Sequence, residues 1–112
     1  MSKYQELTQG LSTTLGKLNK ANPNLMSNFH NLSKHATKSG ALDEKTKELM
    51  ALSIGIAKQC DGCIGFHTQK LVKLGVTQEE FLEMLDIAVY MGGGPALMYA
   101  ASAYDAYQEF AQ

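Results

Sequence analysis

One hundred and twelve residues, 45% of them hydrophobic, suffice for a single domain with its own core, so neither disulfide staples nor a structural metal is required for folding. Ten basic residues against eleven acidic ones leave a net charge of −1, with no basic stripe for nucleic acid and no polybasic anchor for a membrane. No apolar run is long enough for a signal-peptide core or a membrane span, so the chain is expected in the cytosol (cytoplasmic).

The hydrophobic pattern is helical nearly throughout, and no run shows a two-residue alternation. It predicts an all-α, single compact domain of about six helices over residues 1–112. Helix one runs from Tyr4 to about Leu18, with Leu7, Leu11, Leu15 and Leu18 on one stripe. Asn19 to Asn24 interrupts it, and Pro23 suits the first turn of helix two. That helix carries Leu25, Met26, Phe29, Leu32 and Ala36, and Ser39-Gly40 ends it. Asp43 is a good N-cap for helix three, which continues to about Gln59. Leu49, Met50, Leu52, Ile54 and Ile56 make this helix apolar nearly all round, which predicts a central position.

Helix four is expected from about Cys63 to Leu74, closed by Gly75. Thr77 with Glu80 forms a capping box for helix five, and Val76 and Phe81 are placed for a hydrophobic staple. Helix five reaches Met91, Gly92-Gly93-Gly94-Pro95 breaks it, and helix six runs from Pro95 to about Phe110. No strand precedes the glycines and no Lys-Ser/Thr follows, so a helix break is favoured over a phosphate loop. Helix six mixes Tyr99, Tyr104, Tyr107 and Phe110 with Ala100, Ala101, Ala103 and Ala106. In so short a chain, much of the apolar surface of helices five and six is expected between subunits.

The chemistry-bearing residues cluster in eight positions. Cys60 and Cys63 are the two cysteines, spaced CxxC at a predicted helix start. Unpaired N–H groups and the positive end of the helix dipole favour thiolate there. Thiolate is the attacking species, and a second Cys resolves the product of attack. His67 lies four residues after Cys63, on the same helix face, where an imidazole takes up a thiol proton near neutral pH. Two plainer readings stay open. The pair with His67 as third ligand also suits zinc, although His30 and His35 lie on another helix. Free Cys also packs well as an inert core residue.

Residues Gly40 to about Tyr107, roughly two thirds of the chain, resemble the carboxymuconolactone decarboxylase-like family, specifically its alkylhydroperoxidase D branch. The matching motif is Glu48, eleven residues, Cys60-Asp61-Gly62-Cys63, three residues, His67. Segments 42–49 and 74–80 also look like that branch. The resemblance implies an all-helical fold associating as a homo-oligomer, a trimer or hexamer. It implies thiol-dependent reduction of peroxides, with electrons from a dihydrolipoamide-bearing or thioredoxin-like protein. With no second CxxC in the chain, and with His30 and His35 on another helix, no bound metal is expected, nor any cofactor. The resemblance further implies that Cys63 reacts first, Cys60 resolves, and Glu48 with His67 relays protons. Lactone decarboxylation, another family role, does not rely on a CxxC; a non-redox helical oligomer is the remaining alternative. The relay poses a distance problem. Glu48 lies about 18 Å from Cys60 along a straight helix, and a simple hairpin sets His67 nearer Ile54. A steep helix crossing, a bridging water or a neighbouring subunit is then expected to join them.

Overall fold

In the computed structural model, which describes residues 2–112 and so leaves only Met1 of the predicted domain outside, five helices follow one another. They are α1 (Lys3–Ala21), α2 (Pro23–Thr37), α3 (Glu44–Ala57), α4 (Asp61–Lys73) and α5 (Gln78–Phe110). There is no strand among the described residues. Local chemistry accounts for most boundaries. Pro23 opens α2 behind the Asn22 cap, and the Asp43 carboxylate accepts from the Thr46 N–H at 2.8 Å to start α3. The Thr77–Glu80 capping box forms as expected, and Val76 and Phe81 are both buried beside it.

The two last predicted helices abut in α5. Its backbone leaves the helical conformation at Gly93, with φ 74° and ψ −157°, a combination open essentially to glycine alone. Helical geometry resumes at once, and Pro95 falls in the first turn after the break, where its missing N–H costs little.

α3 and α4 form a hairpin that packs on α5, and these three helices hold most of the core. Leu52 and Ile56 from α3 meet Ile64 and Leu71 from α4, Phe81 and Ala88 from early α5, and Ala96, Ala100, Ala103 and Ala106 beyond the break. Late α5 therefore turns its small residues into the core of its own chain, where they admit close helix approach. Tyr107 stacks on Phe81 with ring centroids 4.8 Å apart. The apolar side chains left open on α5 lie around the break instead: Leu82, Ile87, Tyr90, Met91, Leu97 and Met98. α3 is central as expected but not buried all round, since Met50 and Ile54 point outward. α1 packs on α4, α2 and α5, and α2 buries none of its residues. No helix among the described residues is long and apolar enough to cross a membrane.

Both ends of the hairpin close with the same motif but different residues. After α4, Gly75 takes a left-handed φ of 80°, while the Gly75 and Val76 N–H groups bond back to Val72 and Leu71. After α3, Gln59 adopts φ 59°, and the N–H groups of Gln59 and Cys60 bond to Ile56 and Gly55. A left-handed residue with a Cβ costs about 1 kcal/mol or more relative to glycine. Gly75→Ala should therefore lower the free energy of unfolding by about 1 kcal/mol, whereas Gln59→Gly should raise it by roughly 0.5–1 kcal/mol. Urea titrations of both variants against the parent check the opposite signs.

Candidate functional site

The turn after α3 positions the cysteines. Cys60 ends the α3 cap through its N–H and begins α4 through its side chain, because its Sγ accepts from the Cys63 N–H at 3.1 Å. Cys63 falls in the first turn of α4, and the two sulfurs are joined as a disulfide. Both residues are half-buried, so the bond is neither sealed in the core nor fully in solvent. α4 begins at Asp61, two residues earlier than the pattern predicts, which reverses the chain sooner and alters the pairing along the hairpin.

Gly55 sets that pairing. A Cβ built on it would lie 2.9 Å from the Cys63 Cβ, so only a hydrogen there lets α4 seat this closely. With Gly55 facing Cys63, antiparallel rise brings Ala51, not Ile54, opposite His67. Glu48 sits three residues further on the same face of α3, about 4.5 Å along the axis. Two long side chains span that gap directly. His67 Nδ1 and Glu48 Oε2 are 2.6 Å apart within one chain. The contact requires neither a bridging water nor a second subunit, contrary to the simple-hairpin expectation.

The electrostatic setting of this pair is uneven. The Glu48 side chain is only 6% exposed, while that of His67 is 33% exposed. A carboxylate this far from water needs a strong partner, and the imidazole is the one it has among the described residues. Against an ionised carboxylate, which only accepts, Nδ1–H is the donor, and in the neutral form of such a ring Nε2 is the acceptor. His67 and Cys63 share one face of α4, four residues apart. The arrangement thus holds a disulfide, an imidazole and a buried carboxyl group within one helix hairpin. No cluster of three or more His, Cys, Asp or Glu among the described residues is arranged to hold a metal ion.

α1 is the part of this neighbourhood that residue patterns leave unmarked. Tyr4 lies three residues before Leu7, on the apolar stripe of its helix, and that is its only signal. It is fully buried, and its hydroxyl donates to the Asp61 carboxylate, inside the CxxC, at 3.4 Å. Its N–H donates to Glu109 Oε1 at 2.7 Å. α4 accepts α1 at two glycines: a Cβ on Gly62 would come within 3.0 Å of Leu11 Cδ1, and one on Gly65 within 2.7 Å of Thr8 Cγ2. Lys3, Leu7, Leu11 and Asp61 line a groove of about 570 Å³ beside the CxxC turn.

Burial pushes the Tyr4 phenol above its ordinary pKa of 10.0; a hydrogen bond with Ser102 opposes this, and the Asp61 and Glu109 carboxylates add to it. The folded chain therefore keeps this proton to higher pH than the unfolded chain does. The resulting stability is complete below about pH 10 and is lost as pH rises through the folded value. Tyr4→Phe should weaken the alkaline fall in thermal midpoint, and at neutral pH cost about 1 kcal/mol for the lost hydrogen bond. Melting curves of parent and variant from pH 7 to 11 test both effects.

Residues 23–106 match the model of the carboxymuconolactone decarboxylase family, a span that takes in α2 and the whole hairpin but not α1. A protein of Cupriavidus necator is 40% identical over 93 residues, covering 83% of this chain and 82% of the relative. An uncharacterised protein of the cox locus of Paracoccus denitrificans is 34% identical over 92 residues, covering 82% of this chain and 83% of its own. Among solved structures, the apo form of a carboxymuconolactone decarboxylase family protein from Legionella pneumophila superposes with a TM-score of 0.97. It is 55% identical, and each chain is covered in full. A family protein from Thermotoga maritima, for which a part in the antioxidative response is suggested, superposes with a TM-score of 0.81. It is 31% identical, with 91% of this chain and 87% of that one covered.

Proposed function

The chain belongs to the carboxymuconolactone decarboxylase family, and on that premise we propose that it is a thiol-dependent peroxidase or disulfide oxidoreductase of the alkylhydroperoxidase D type. The observation that carries this reading is the direct Glu48–His67 contact on the same hairpin as the Cys60–Cys63 disulfide. A disulfide spanning three residues closes too small a loop to add much stability, so chemistry is the better reason for the pair. The antioxidative role suggested for the Thermotoga maritima relative points the same way.

The proposed cycle starts from the dithiol. His67 Nε2 takes the Cys63 proton while Glu48 holds Nδ1–H. The Cys63 thiolate attacks the peroxide oxygen, the O–O bond breaks, and the leaving alkoxide receives a proton as an alcohol. Cys63 is now a sulfenic acid. The Cys60 thiol attacks that sulfur, forming the disulfide and releasing water. A dithiol reductant, such as a dihydrolipoamide-bearing or thioredoxin-like protein, then restores both thiols by exchange and is itself oxidised to a disulfide. The same two thiols serve a disulfide substrate without the peroxide step. The proposal includes a cytoplasmic setting and a homo-oligomer, a trimer or hexamer.

Peroxide consumption with dihydrolipoamide as donor tests this directly. Cys63→Ser and Cys60→Ser should each abolish turnover, and a sulfenic-acid trap should label Cys63 in the Cys60→Ser protein. Glu48→Gln should lower the rate about 100-fold, the size of effect expected when an oriented base is lost. Stable zinc at one per chain would falsify the reading, and lactone decarboxylation that survives removal of both cysteines would transfer the activity to the family's other chemistry.

A further inference from the structure

α2 presents a physical problem. It has 15 residues, a length at which a helix is marginal in water without tertiary packing, and yet none of its residues is buried. Leu25, Phe29 and Leu32 lie on one stripe and are 50%, 64% and 61% exposed. Contiguous apolar surface of this kind marks an interaction site. The same chain carries an apolar groove between α3 and early α5, about 580 Å³ in volume. Met50, Ile54, Met84 and Ile87 line it together with Glu80 and Glu83.

We propose that this groove receives α2 of a second copy of the chain, so that each groove is filled by a neighbour's Leu25–Phe29–Leu32 stripe. Charge favours this occupant. α2 contains no acidic residue and carries His30, Lys34 and His35, whereas the acids lie on the groove side. Glu80 is already engaged by Lys45 at 2.9 Å and by its own helix cap, which leaves Glu83 as the open carboxylate for the incoming helix. The chain's own α2 packs chiefly on α1 and does not reach into this groove, so the filling helix comes from another molecule. Burial of two such surfaces stabilises both partners. α2 gains the packing its length demands, and the outer face of α3 is covered directly behind the residues that hold Glu48 and Gly55. The inference concerns packing and stands independently of the redox chemistry. It specifies the faces of the homo-oligomer proposed above.

A mixing experiment tests it. Phe29→Asp with Leu32→Asp spoils the helix and leaves the groove intact; Ile54→Lys with Ile87→Lys spoils the groove and leaves the helix intact. All four positions are more than half exposed, so the core is untouched. Far-UV circular dichroism confirms that each variant is folded. Light scattering at micromolar concentration should show the parent as a multiple of 12.2 kDa and each variant alone at 12.2 kDa. Equal mixing should produce a species of twice the monomer mass, since one intact helix then meets one intact groove. If the variants keep the parent's mass, or the mixture stays monomeric, this pairing of surfaces is wrong while the oligomer stands. A monomeric parent overturns the pairing and the oligomer together.

Discussion

Cys63 rests against the backbone of Gly55, and the rest of the hairpin follows from that contact. A Cβ at position 55 would stand 2.9 Å from that of Cys63, so the hydrogen of a glycine decides how closely and in what register α4 lies on α3. The register then places His67 within one helical turn of Glu48, and the two side chains close the gap at 2.6 Å. The buried carboxylate depends on this geometry. Shifted by a residue or two, Glu48 would lose its imidazole and remain desolvated without a partner, which costs far more than an ordinary surface pair contributes.

Cys60 occupies a second position of shared duty. Its N–H completes the end of α3 and its sulfur caps the start of α4. The cysteine pair is thereby built into the helix boundary and not hung on a loose loop. That arrangement holds the Cys63 sulfur in the first turn, where the helix dipole favours negative charge. The left-handed Gln59 just before it shows that the tight reversal is maintained even without the glycine that closes α4. Backbone strain at that residue is offset by the packing of the hairpin around it.

Surface and core are divided unevenly in this chain. The small residues of late α5 serve its own interior, and Tyr107 closes over Phe81. Most of the large apolar residues that remain outside are gathered on α2, on the outer face of α3 and around the break in α5, with Leu15 and Leu18 of α1 and Leu42 before α3 as the others. A 112-residue chain cannot bury all of the 45% of its residues that are hydrophobic, and most of the surplus is grouped on helix faces.

Periodicity and caps determined the helices apart from the start of α4, because those signals act within a few residues of chain. Asp43, Thr77 with Glu80, and Pro23 mark their own boundaries whatever the tertiary setting. The Gly93 break between two helical segments was legible for the same local reason. The spacing of Cys60, Cys63 and His67 likewise marked a helix start that gathers two thiols and an imidazole, since all three lie within two turns. The Glu48–His67 contact was not derivable from spacing, because it rests on hairpin register, and register was decided by Gly55 against Cys63. The place of Tyr4 beside Asp61 was invisible for a stronger version of that reason: 57 residues separate them, and only the packing of α1 onto Gly62 and Gly65 brings them together. Burial on α2 was decided at the same level. Its stripe reads as a core face, yet whether such a stripe meets its own core or another molecule depends on where the neighbouring helices leave room.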